Sequence, residues 1–382
     1  MNQTPRNILV NCLSARSGGA VSYLQNAVPR ILVSSSSASR FMALCNHKQA
    51  GLLDADDDQV IQVETDNLGG WKRNLWEKRN LPDLVRHHRF DTVFVPYQVA
   101  PGRLPARTVL MLRNMEPFCH RSYRYPLSMR LRNIALQRAS EKSMRQADHV
   151  IAVSDYARSW LVDRMKIPEE QTTRIYHGRN PWFAESVPDD VRKTILAEMS
   201  VTGPFLLTCG SLLPYRRTED VIQAFARWQT GRDNRATLVI AGDGNDTGYR
   251  SHLEQLAAAP QLAGRVRFTG HVTAERMRVL YQAAEVVILA TEIEACPNIA
   301  IEAMSAGCAI LAGNSDPLPE IIGRDNARFF ERRNLADLAG GMEELMTADD
   351  TADDLRQRVR DRAAGFSWDR CVADTVQLLG RV

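Results

Sequence analysis

The 382-residue sequence has no apolar run of 18 residues, so it offers no candidate for a membrane-spanning helix. Its first residues, MNQTPRNILVNC, lead straight into a predicted strand and lack the apolar core of a signal peptide. The seven cysteines are scattered and form no CxxC pair, which argues against a structural zinc site and a disulfide framework. These absences favour a cytoplasmic protein with free thiols.

Several catalytic and cofactor motifs are also missing. The sequence contains neither the GxGxxG dinucleotide fingerprint nor a Walker phosphate loop, which argues against NAD and ATP binding. It shows no Ser–His–Asp order, no HExxH and no phosphatase-like aspartate cluster. The acidic run DADDD at 54–58 is interpreted as a surface turn rather than a metal site.

Charge is divided unevenly along the chain. Residues 1–180 carry 26 Lys and Arg against 16 Asp and Glu, a net charge of +10, whereas residues 181–382 carry 22 against 29, a net −7. A basic half suggests an anionic partner. Its most basic stretch, residues 121–146, mixes arginines with apolar residues, which is typical of an amphipathic helix on an anionic membrane surface. The alternative is a solvated helix with one buried stripe.

Short apolar runs alternate with segments of helical periodicity, which predicts parallel βαβ units in an α/β fold. Each half is expected to bury its own sheet between helices, and the polar stretch 185–203 is the predicted linker. The predicted strands are 8–12, 41–45, 60–63, 92–95, 109–112, 150–153, 174–176, 205–209, 237–241, 266–269, 286–289 and 309–311.

The stretch ATEIEACPNIAIEAMSAG carries two glutamates eight positions apart, Glu294 in a loop after a predicted strand and Glu302 inside the next helix. Both are expected at the carboxyl end of that strand, where open α/β sheets bind ligands. The Asn298 and Ile299 amides would open the helix, whose N-terminus favours a phosphate. The alternative is a hydrolytic carboxylate pair. However, both glutamates belong to one βα unit beside Arg216, an arrangement that suits binding a hydroxylated, phosphorylated ligand better than flanking a glycosidic bond.

Two other turns from strand to helix carry ligand-binding chemistry. After the first strand, Gly18 and Gly19 let backbone amides approach a ligand, with a plain tight turn as the alternative. In the second half, Arg216 and Arg217 stand beside a predicted helix start, where an arginine can grip a diphosphate with two parallel hydrogen bonds. A surface arginine pair is the alternative there.

These segments resemble the retaining glycosyltransferases of family 4, which have the GT-B architecture of two Rossmann-like doubly wound domains facing each other across a cleft. The second half matches through GSLLPYRRTEDVIQAF, VIAGDG, VRFTGHV, ATEIEACPNIAIEAMSAGCAIL and DPLPEIIG. The first half matches more loosely, through SGGAVSYL, RNMEPF, ADHVIAVSDYA and IYHGRN, and FSWDR near the end is also similar. The resemblance implies an acceptor-binding domain at 1–185, a nucleotide-sugar donor domain at 200–365 and a helix at 366–382 that returns to the first domain.

Roles follow by position from the resemblance. Glu302 would hold ribose hydroxyls, and Glu294 would contact hydroxyls of the transferred sugar. The amides of Asn298 and Ile299 would hold the sugar and the diphosphate. Arg216 occupies the family's usual lysine position and would neutralise the departing diphosphate, so no metal and no cofactor are implied.

On the donor side, the resemblance also implies that Gly19, beside Gly18, lets the first-domain backbone approach the diphosphate. One position departs from the family pattern, because Ser211 stands where an arginine is common. Arg217 is expected to compensate for the missing arginine.

On the acceptor side, Arg113 and Asn114 stand where the family often has a histidine followed by Asp or Asn, and Glu116 follows them. These three residues are assigned to the acceptor side. His120 and His177 lie nearby in the sequence and are interpreted as structural, hydrogen-bonded residues.

The resemblance implies retaining transfer of a mannose- or glucose-type hexose from a nucleoside diphosphate sugar to a glycan or lipid-linked acceptor, in cell-surface polysaccharide or lipopolysaccharide synthesis. Two alternatives stay open: a nucleotide-sugar 2-epimerase, which lacks the EACPNIAIEAM pattern, and a catalytically inactive glycosyltransferase-like subunit. No nucleic-acid partner is expected, and the expected location is the cytoplasm, peripheral on the inner membrane face.

Overall fold

The computed structural model describes residues 5–16, 18–36, 38–230, 236–244, 246–347 and 349–382, with side chains in the last range from residue 353. The chain divides into two compact units. Unit 1 is formed by the described parts of Met1–His120, Leu127–Gly178 and Ser367–Val382, and unit 2 by those of Arg121–Pro126 and Arg179–Phe366.

The described strands form one parallel sheet in each unit. They are β1 (Arg6–Asn11), β2 (Ser39–Cys45), β3 (Val60–Gln62), β4 (Thr92–Val95), β5 (Arg107–Leu112), β6 (His149–Ala152), β7 (Thr172–Arg174), β8 (Phe205–Cys209), β9 (Thr237–Ala241), β10 (Val266–Gly270), β11 (Val286–Leu289), β12 (Ile310–Gly313) and β13 (Arg328–Phe330). The strand order is β3-β2-β1-β4-β5-β6-β7 in unit 1 and β10-β9-β8-β11-β12-β13 in unit 2. Two parallel-sheet α/β units confirm the predicted fold class.

Helices connect the strands of both sheets. They are α1 (Gly19–Asn26), α2 (Val28–Val33), α3 (His47–Ala50), α4 (Gly70–His87), α5 (Glu116–Cys119), α6 (Leu127–Gln146), α7 (Asp155–Ser159), α8 (Asp189–Glu198), α9 (Thr218–Gln229), α10 (Thr247–Ala257), α11 (Ala274–Ala283), α12 (Asn298–Ala306), α13 (Leu318–Ile322), α14 (Leu335–Thr347), α15 (Asp349–Ala364) and α16 (Trp368–Arg381). Among the helices described, none combines the length and the apolar character needed to cross a bilayer.

The strand order places the ligand-binding edge of each sheet. It reverses between β1 and β4 in unit 1 and between β8 and β11 in unit 2. The loops that leave such neighbouring strands diverge to opposite faces of the sheet, which opens a crevice at their carboxyl ends. In unit 2, this crevice is where the predicted two-glutamate loop falls.

The core of unit 2 forms because its central strands and its helix stripes are apolar. Every residue of β11 and β12 is buried, as expected for parallel strands covered on both faces. On α9 the buried residues Val221, Ile222 and Phe225 recur at helical spacing and pack into one cluster with α14. Burying one such side chain contributes about 1.5–3 kcal/mol, so this contact is a main stabiliser of the unit.

The terminal helix α16 belongs to unit 1 and packs on α2. Trp368 stacks on His177 with ring centroids 5.7 Å apart, and its ring also meets Tyr23 edge-on at 5.9 Å. A Cβ added at Gly178 would lie 2.1 Å from the Trp368 backbone nitrogen, so only glycine fits there. The chain divides after Gly178 and after Phe366, whereas the predicted domains are 1–185, 200–365 and 366–382, so residues 179–199 belong to unit 2.

The predicted strand positions need two corrections. The strand expected at 174–176 is Thr172–Arg174, which pairs with β6 from Val150 to Ala152 and starts directly after a short 3₁₀ turn. The edge strand Arg328–Phe330 was not predicted, because three residues are too few to show a strand period.

Two predicted segments also differ from the structure. The stretch 185–203, expected to be a linker, contains α8, and the signal that was overlooked is Pro188 followed by two aspartates in the first helical turn. The basic helix expected at 121–146 begins only at Leu127, because Pro126 disfavours a helical conformation in the residue before it.

Candidate active site

The candidate site of unit 2 lies at the carboxyl ends of β8 and β11, the point where its strand order reverses. The loop after β8 carries a 3₁₀ turn, Pro214–Arg216, and the loop after β11 leads into α12. A cavity between these loops is lined by Thr208, Gly210, Ser211, Arg216, Thr218, Thr291 and Ile299, among others. Sequence reasoning placed most of its candidate donor residues at this edge.

Arg216 and Glu294 form an ion pair in this crevice. Arg216 Nη1 contacts Glu294 Oε1, and only 17% and 13% of the two side chains are exposed. Thr291 Oγ1 donates to the same carboxylate at 3.3 Å. Burial raises the pKa of Glu294, although the Arg216 charge and the Thr291 hydrogen bond oppose that shift. In the described part of the chain Arg216 Nε is buried and makes no hydrogen bond.

Close backbone packing shapes the same pocket. Gly210 has a φ of 116°, and a Cβ there would lie 3.6 Å from Arg216 Cζ, so the guanidinium lies against the backbone of the loop. Gly242, after β9, has a φ of 145°, and its Cβ would fall 1.9 Å from the Gly210 carbonyl oxygen. Only glycine satisfies both the conformation and the space at Gly242.

Glu302 lies on the second turn of α12 beside a tyrosine that the sequence did not single out. Tyr281 Oη, from α11, donates to Glu302 Oε2 at 3.3 Å and lies 3.3 Å from Cys209 Sγ at the end of β8. Burial raises the pKa of Glu302 to about 7, and the Tyr281 hydrogen bond opposes the shift. Glu302 is therefore a carboxyl group that titrates near neutrality.

The α12 helix begins at Asn298, as predicted, directly after Pro297. No side chain caps this N-terminus, and the amides of Ala300 and Ile301 donate to the Pro297 carbonyl. The helix ends at Gly307, whose φ of 74° is the left-handed conformation expected at a C-cap. Asn298 and Ile299 thus present the first helical amides at the crevice.

Arg217 is placed differently from Arg216. Its guanidinium donates to both oxygens of Asp220, at 2.9 and 2.7 Å, and lies 2.6 Å from Glu219. Both carboxylates belong to the first turn of α9. The expected compensation for Ser211 by Arg217 stays a prediction, in which a phosphate must compete with these two carboxylates.

Glu292 is the feature of this loop that sequence reasoning missed. Its side chain is only 2% exposed, and Arg333 binds both of its oxygens, at 2.9 and 2.7 Å. Tyr123 Oη donates to Glu292 Oε2 at 2.7 Å. Burial raises the pKa of Glu292, but the hydrogen bonds from Arg333 and Tyr123 outweigh it and bring the pKa down to about 2. A third acidic residue within the two-glutamate stretch was the available signal.

The remaining predicted donor-side residues lie in unit 1. Gly18 precedes α1 with a φ of 56°, and a Cβ there would meet no atom within 4 Å. Gly19 is the first residue of α1. Both residues follow β1, next to the reversal of strand order in that sheet.

The predicted acceptor-side residues follow β5 of unit 1 and form a hydrogen-bonded turn. Arg113 Nη1 donates to the Pro96 carbonyl at 3.3 Å, and burial lowers the pKa of Arg113 to about 10. Asn114 Oδ1 accepts from the Glu116 amide at 3.0 Å, and Glu116 Oε1 accepts from Asn133 at 3.2 Å.

The two nearby histidines are both buried in unit 1. His120 Nδ1 lies 2.8 Å from the Pro117 carbonyl, and His177 stacks on Trp368. The His120 contact agrees with the interpretation of that residue as structural and hydrogen-bonded, whereas for His177 the structure shows ring stacking.

Among the described residues, no cluster of three or more His, Cys, Asp or Glu side chains has the arrangement of a metal site. None of the described cysteines forms a disulfide.

This chain is similar to known proteins in both fold and sequence. Anabaena HepE, solved in complex with UDP-glucose, superposes with a TM-score of 0.78 over 98% of this chain and all of that chain, at 18% identity. This likeness, together with the two parallel sheets, gives the chain the GT-B fold. A family model described as glycosyl transferases group 1 matches residues 197–362, and one described as glycosyltransferase family 4 matches residues 43–182. The chain belongs to the family 4 glycosyltransferases of GT-B architecture.

Curated relatives are distant in sequence. An uncharacterized glycosyltransferase of Methanocaldococcus jannaschii is 26% identical over 60% of this chain, and the matched stretch spans 59% of that protein's length. The O-antigen chain mannosyltransferase B of Escherichia coli is 24% identical over 83% of this chain and 80% of its own length.

Proposed function

We propose that this protein transfers a mannose- or glucose-type hexose from a nucleoside diphosphate sugar to a glycan or lipid-linked acceptor, with retention of anomeric configuration, in cell-surface polysaccharide synthesis. The observation that carries the proposal is the Arg216–Glu294 pair, which lies beside the α12 N-terminus where the strand order of unit 2 reverses. The UDP-glucose in the Anabaena neighbour and the mannosyltransferase activity named for the E. coli relative support a hexose donor.

In the proposed mechanism, each group of the crevice contacts one part of the donor. The buried Arg216 guanidinium and the first amides of α12 stabilise the charge that develops on the leaving diphosphate. Glu294 orients hydroxyls of the transferred sugar, and Glu302 binds the ribose. The leaving phosphate accepts the proton of the attacking acceptor hydroxyl, so positioning and charge stabilisation replace a protein nucleophile.

Metal independence is part of this proposal. The diphosphate carries negative charge that a cation must offset in the transition state. Arg216 supplies one positive charge, which its ion pair with Glu294 partly offsets, and the α12 N-terminus contributes roughly half an elementary charge. We therefore expect donor turnover to survive treatment with a chelator such as EDTA.

The acceptor side is proposed to work at an anionic membrane surface. Two leucines near the start of α6 are exposed, Leu127 by 69% and Leu131 by 59%, and Arg130 and Arg138 are exposed on the same helix. An amphipathic helix with basic and leucine residues binds the interface of anionic bilayers. This arrangement supports an acceptor that is itself bound to the membrane.

A groove beside α6 adds cations to the same surface. It has a volume of about 640 Å³ and is lined by α4, α6 and the loop before β5. Lys78, Arg103 and Lys142 line it, and in the part of the chain that the structure describes none of them pairs with a carboxylate. Such unpaired cations suit the phosphates of lipid headgroups.

The test of the donor site is a thermal-shift screen with UDP, GDP, ADP, TDP and their hexose conjugates. A ligand at 100 times its dissociation constant stabilises the folded protein by about 2.7 kcal/mol, which shifts the melting temperature measurably. Arg216→Gln should lose most of the shift. Arg227→Gln, which removes an exposed arginine of α9, is the matched control and should keep it.

Product analysis then separates the proposed reaction from its alternatives. Transfer to an acceptor with an unchanged anomeric configuration, read by NMR, supports the proposal. Epimerisation of the donor in the absence of acceptor would instead identify an isomerase. A protein that binds none of the nucleotides in the screen would contradict the donor-site assignment.

A further inference from the structure

We propose that Tyr123 is a positioning residue of the transfer site, which acts through Glu292 to hold the Glu294 loop and the Arg216 turn in register. The inference rests on the proposed function for its catalytic consequence. Its structural basis is the segment Arg121–Pro126, which belongs to unit 2 although the residues on both sides of it belong to unit 1.

Tyr123 is held in place through both its hydroxyl and its ring. Its hydroxyl donates to Glu292 at 2.7 Å, and Arg333 lies over its ring, 5.8 Å from the centroid. Its ring meets Tyr215 edge-on with centroids 6.4 Å apart. Tyr123 is thereby held by a charged hydrogen bond and by two contacts to its ring.

Contacts between the loop after β11 and the turn after β8 connect Tyr123 to the proposed catalytic pair. The Glu292 amide donates to the Tyr215 carbonyl at 2.8 Å, which ties the loop after β11 to the turn after β8. Arg216 directly follows Tyr215, and its guanidinium lies 5.5 Å from the Tyr215 ring centroid. Glu294 lies two residues after Glu292, so an unbroken series of contacts leads from Tyr123 to the Arg216–Glu294 pair.

The negative charge of Glu292 is balanced by the groups around it. Glu292 is almost fully buried and satisfies its two oxygens with Arg333 and Tyr123. Arg332 Nε lies 3.5 Å from the same carboxylate. Two arginines and a phenol thus fix one carboxylate, and the loss of the phenol leaves part of a buried anion without its hydrogen bond.

The experiment compares Tyr123→Phe with Arg124→Gln, a change to an exposed neighbour in the same segment. The phenylalanine keeps the ring and removes only the hydrogen bond to Glu292. We expect backbone hydrogen–deuterium exchange across residues 290–294 to accelerate several-fold in Tyr123→Phe and to stay unchanged in Arg124→Gln. Unchanged exchange in Tyr123→Phe would overturn the inference, whatever the activity of the enzyme.

The catalytic readout uses UDP-glucose and GDP-mannose as probes, with hydrolysis or transfer followed by release of the nucleoside diphosphate. We expect kcat to fall about 10-fold in Tyr123→Phe with KM for the donor changed less than 2-fold, because a misplaced catalytic group lowers the rate more than it weakens binding. If the melting temperature and the fraction of active molecules both fall while kcat per active molecule stays unchanged, the role of Tyr123 is merely structural and the proposal is contradicted.

A double-mutant cycle with Glu292→Gln separates this inference from the proposed function. If Tyr123 acts through Glu292, the two changes together should cost no more than Glu292→Gln alone. Additive losses would show that Tyr123 acts by another route. A wild-type protein that neither binds nor turns over either probe would count against the proposed function, while the exchange measurement would still decide the role of Tyr123.

Discussion

At the residue scale, the central feature is a charged pair that serves the fold and the proposed reaction at once. Arg216 and Glu294 lie side by side, largely buried, and each offsets the desolvation of the other. Removal of one partner from a buried pair leaves an uncompensated charge. The same two residues therefore report on stability and on turnover.

We predict that Arg216→Gln and Glu294→Gln each lower the free energy of unfolding by about 3–5 kcal/mol and reduce turnover roughly 30- to 1000-fold. The double variant should be less destabilised than the sum of the singles, because it leaves no lone charge. Chemical denaturation and nucleotide release measure the two effects. Asp189→Asn, which breaks the pair with Arg192 in the first turn of α8, is the control. It should leave turnover unchanged and lower the free energy of unfolding by at most about 1 kcal/mol, the range for a surface carboxylate at a helix N-terminus.

Glu302 gives a prediction about pH. Because burial raises its pKa to about 7, the folded state holds a proton that the unfolded chain releases near pH 4.5. The unfolded state therefore binds fewer protons between these values, and stability falls as pH rises through this window. Between pH 4.5 and 7.5 the free energy of unfolding of the wild type should fall by about 2–3 kcal/mol through this titration. We expect Glu302→Gln not to show this fall.

The same titration bears on donor binding. If the ionised carboxylate accepts the ribose hydroxyls, affinity for UDP-glucose should rise between pH 6 and 8 in the wild type and stay flat in Glu302→Gln. UDP-glucose suits this measurement because its diphosphate is esterified at both ends and does not titrate in this range. Parallel pH profiles in the two proteins, measured by calorimetry, would argue against a ribose contact through the ionised form of Glu302.

At the scale of elements, strands and helix caps were readable in the sequence because their signals are local. Four continuous apolar runs predicted β4, β8, β9 and β11 with the bounds that the structure shows. The stop at Gly307 followed from the conformational freedom of glycine at a helix end. Local chemistry of this kind does not depend on contacts with distant parts of the chain.

The parts of the site that sequence reasoning missed depend on contacts between distant residues. Tyr123 and Glu292 are 169 positions apart, and no local pattern joins them. Arg217 resembles Arg216 in sequence, yet its left-handed φ of 54° directs it to the carboxylates of α9. The Ser211 substitution was visible, but its consequence for charge depends on this geometry.

Two adjacent glycines of α14 give a paired prediction. A Cβ at Gly340 would meet no atom within 4 Å, whereas one at Gly341 would lie 2.5 Å from Leu311 Cδ1 on β12. Gly340→Ala should therefore stabilise the protein by about 0.5–1 kcal/mol through helix propensity. Gly341→Ala should destabilise it by about 1–3 kcal/mol through overpacking. Thermal unfolding of both variants measures the difference, and equal shifts would contradict the packing of α14 on the sheet.

At the scale of the whole molecule, the uneven charge of the chain matches its division into units. The basic half of the sequence contains the strands of unit 1, and the acidic half contains those of unit 2. The proposed membrane contact and the proposed donor site therefore lie on units of opposite charge. Association with anionic bilayers should weaken as salt screens the basic unit.

We predict that the wild type sediments with vesicles containing phosphatidylglycerol and that replacement of Arg130, Arg132 and Arg138 by Ser lowers the bound fraction at least 5-fold. Leu127→Ser with Leu131→Ser should have a comparable effect through loss of apolar burial.

The control for the membrane test is Val33→Ser. Val33 is 72% exposed on α2, which lies in the connection from β1 to β2, whereas α6 lies in the connection from β5 to β6. These two connections run in opposite directions along the sheet. Because such connections are right-handed, they place Val33 and α6 on opposite faces of the sheet. This variant should bind vesicles as the wild type does. Equal loss in the Val33 and α6 variants, or no binding by the wild type, would remove the proposed surface.

The excursion of Arg121–Pro126 into unit 2 has a consequence for recombination between relatives. A chimera that joins the first 178 residues of another family member to the rest of this chain would carry a foreign residue against Glu292 and Arg333. Such a hybrid keeps every strand of the unit 2 sheet, and if the other member has no tyrosine at this position, it loses the phenol that donates to the Glu292 carboxylate. Grafting 121–126 together with 179–366 should restore it, because the two segments that make up unit 2 are separated in the sequence.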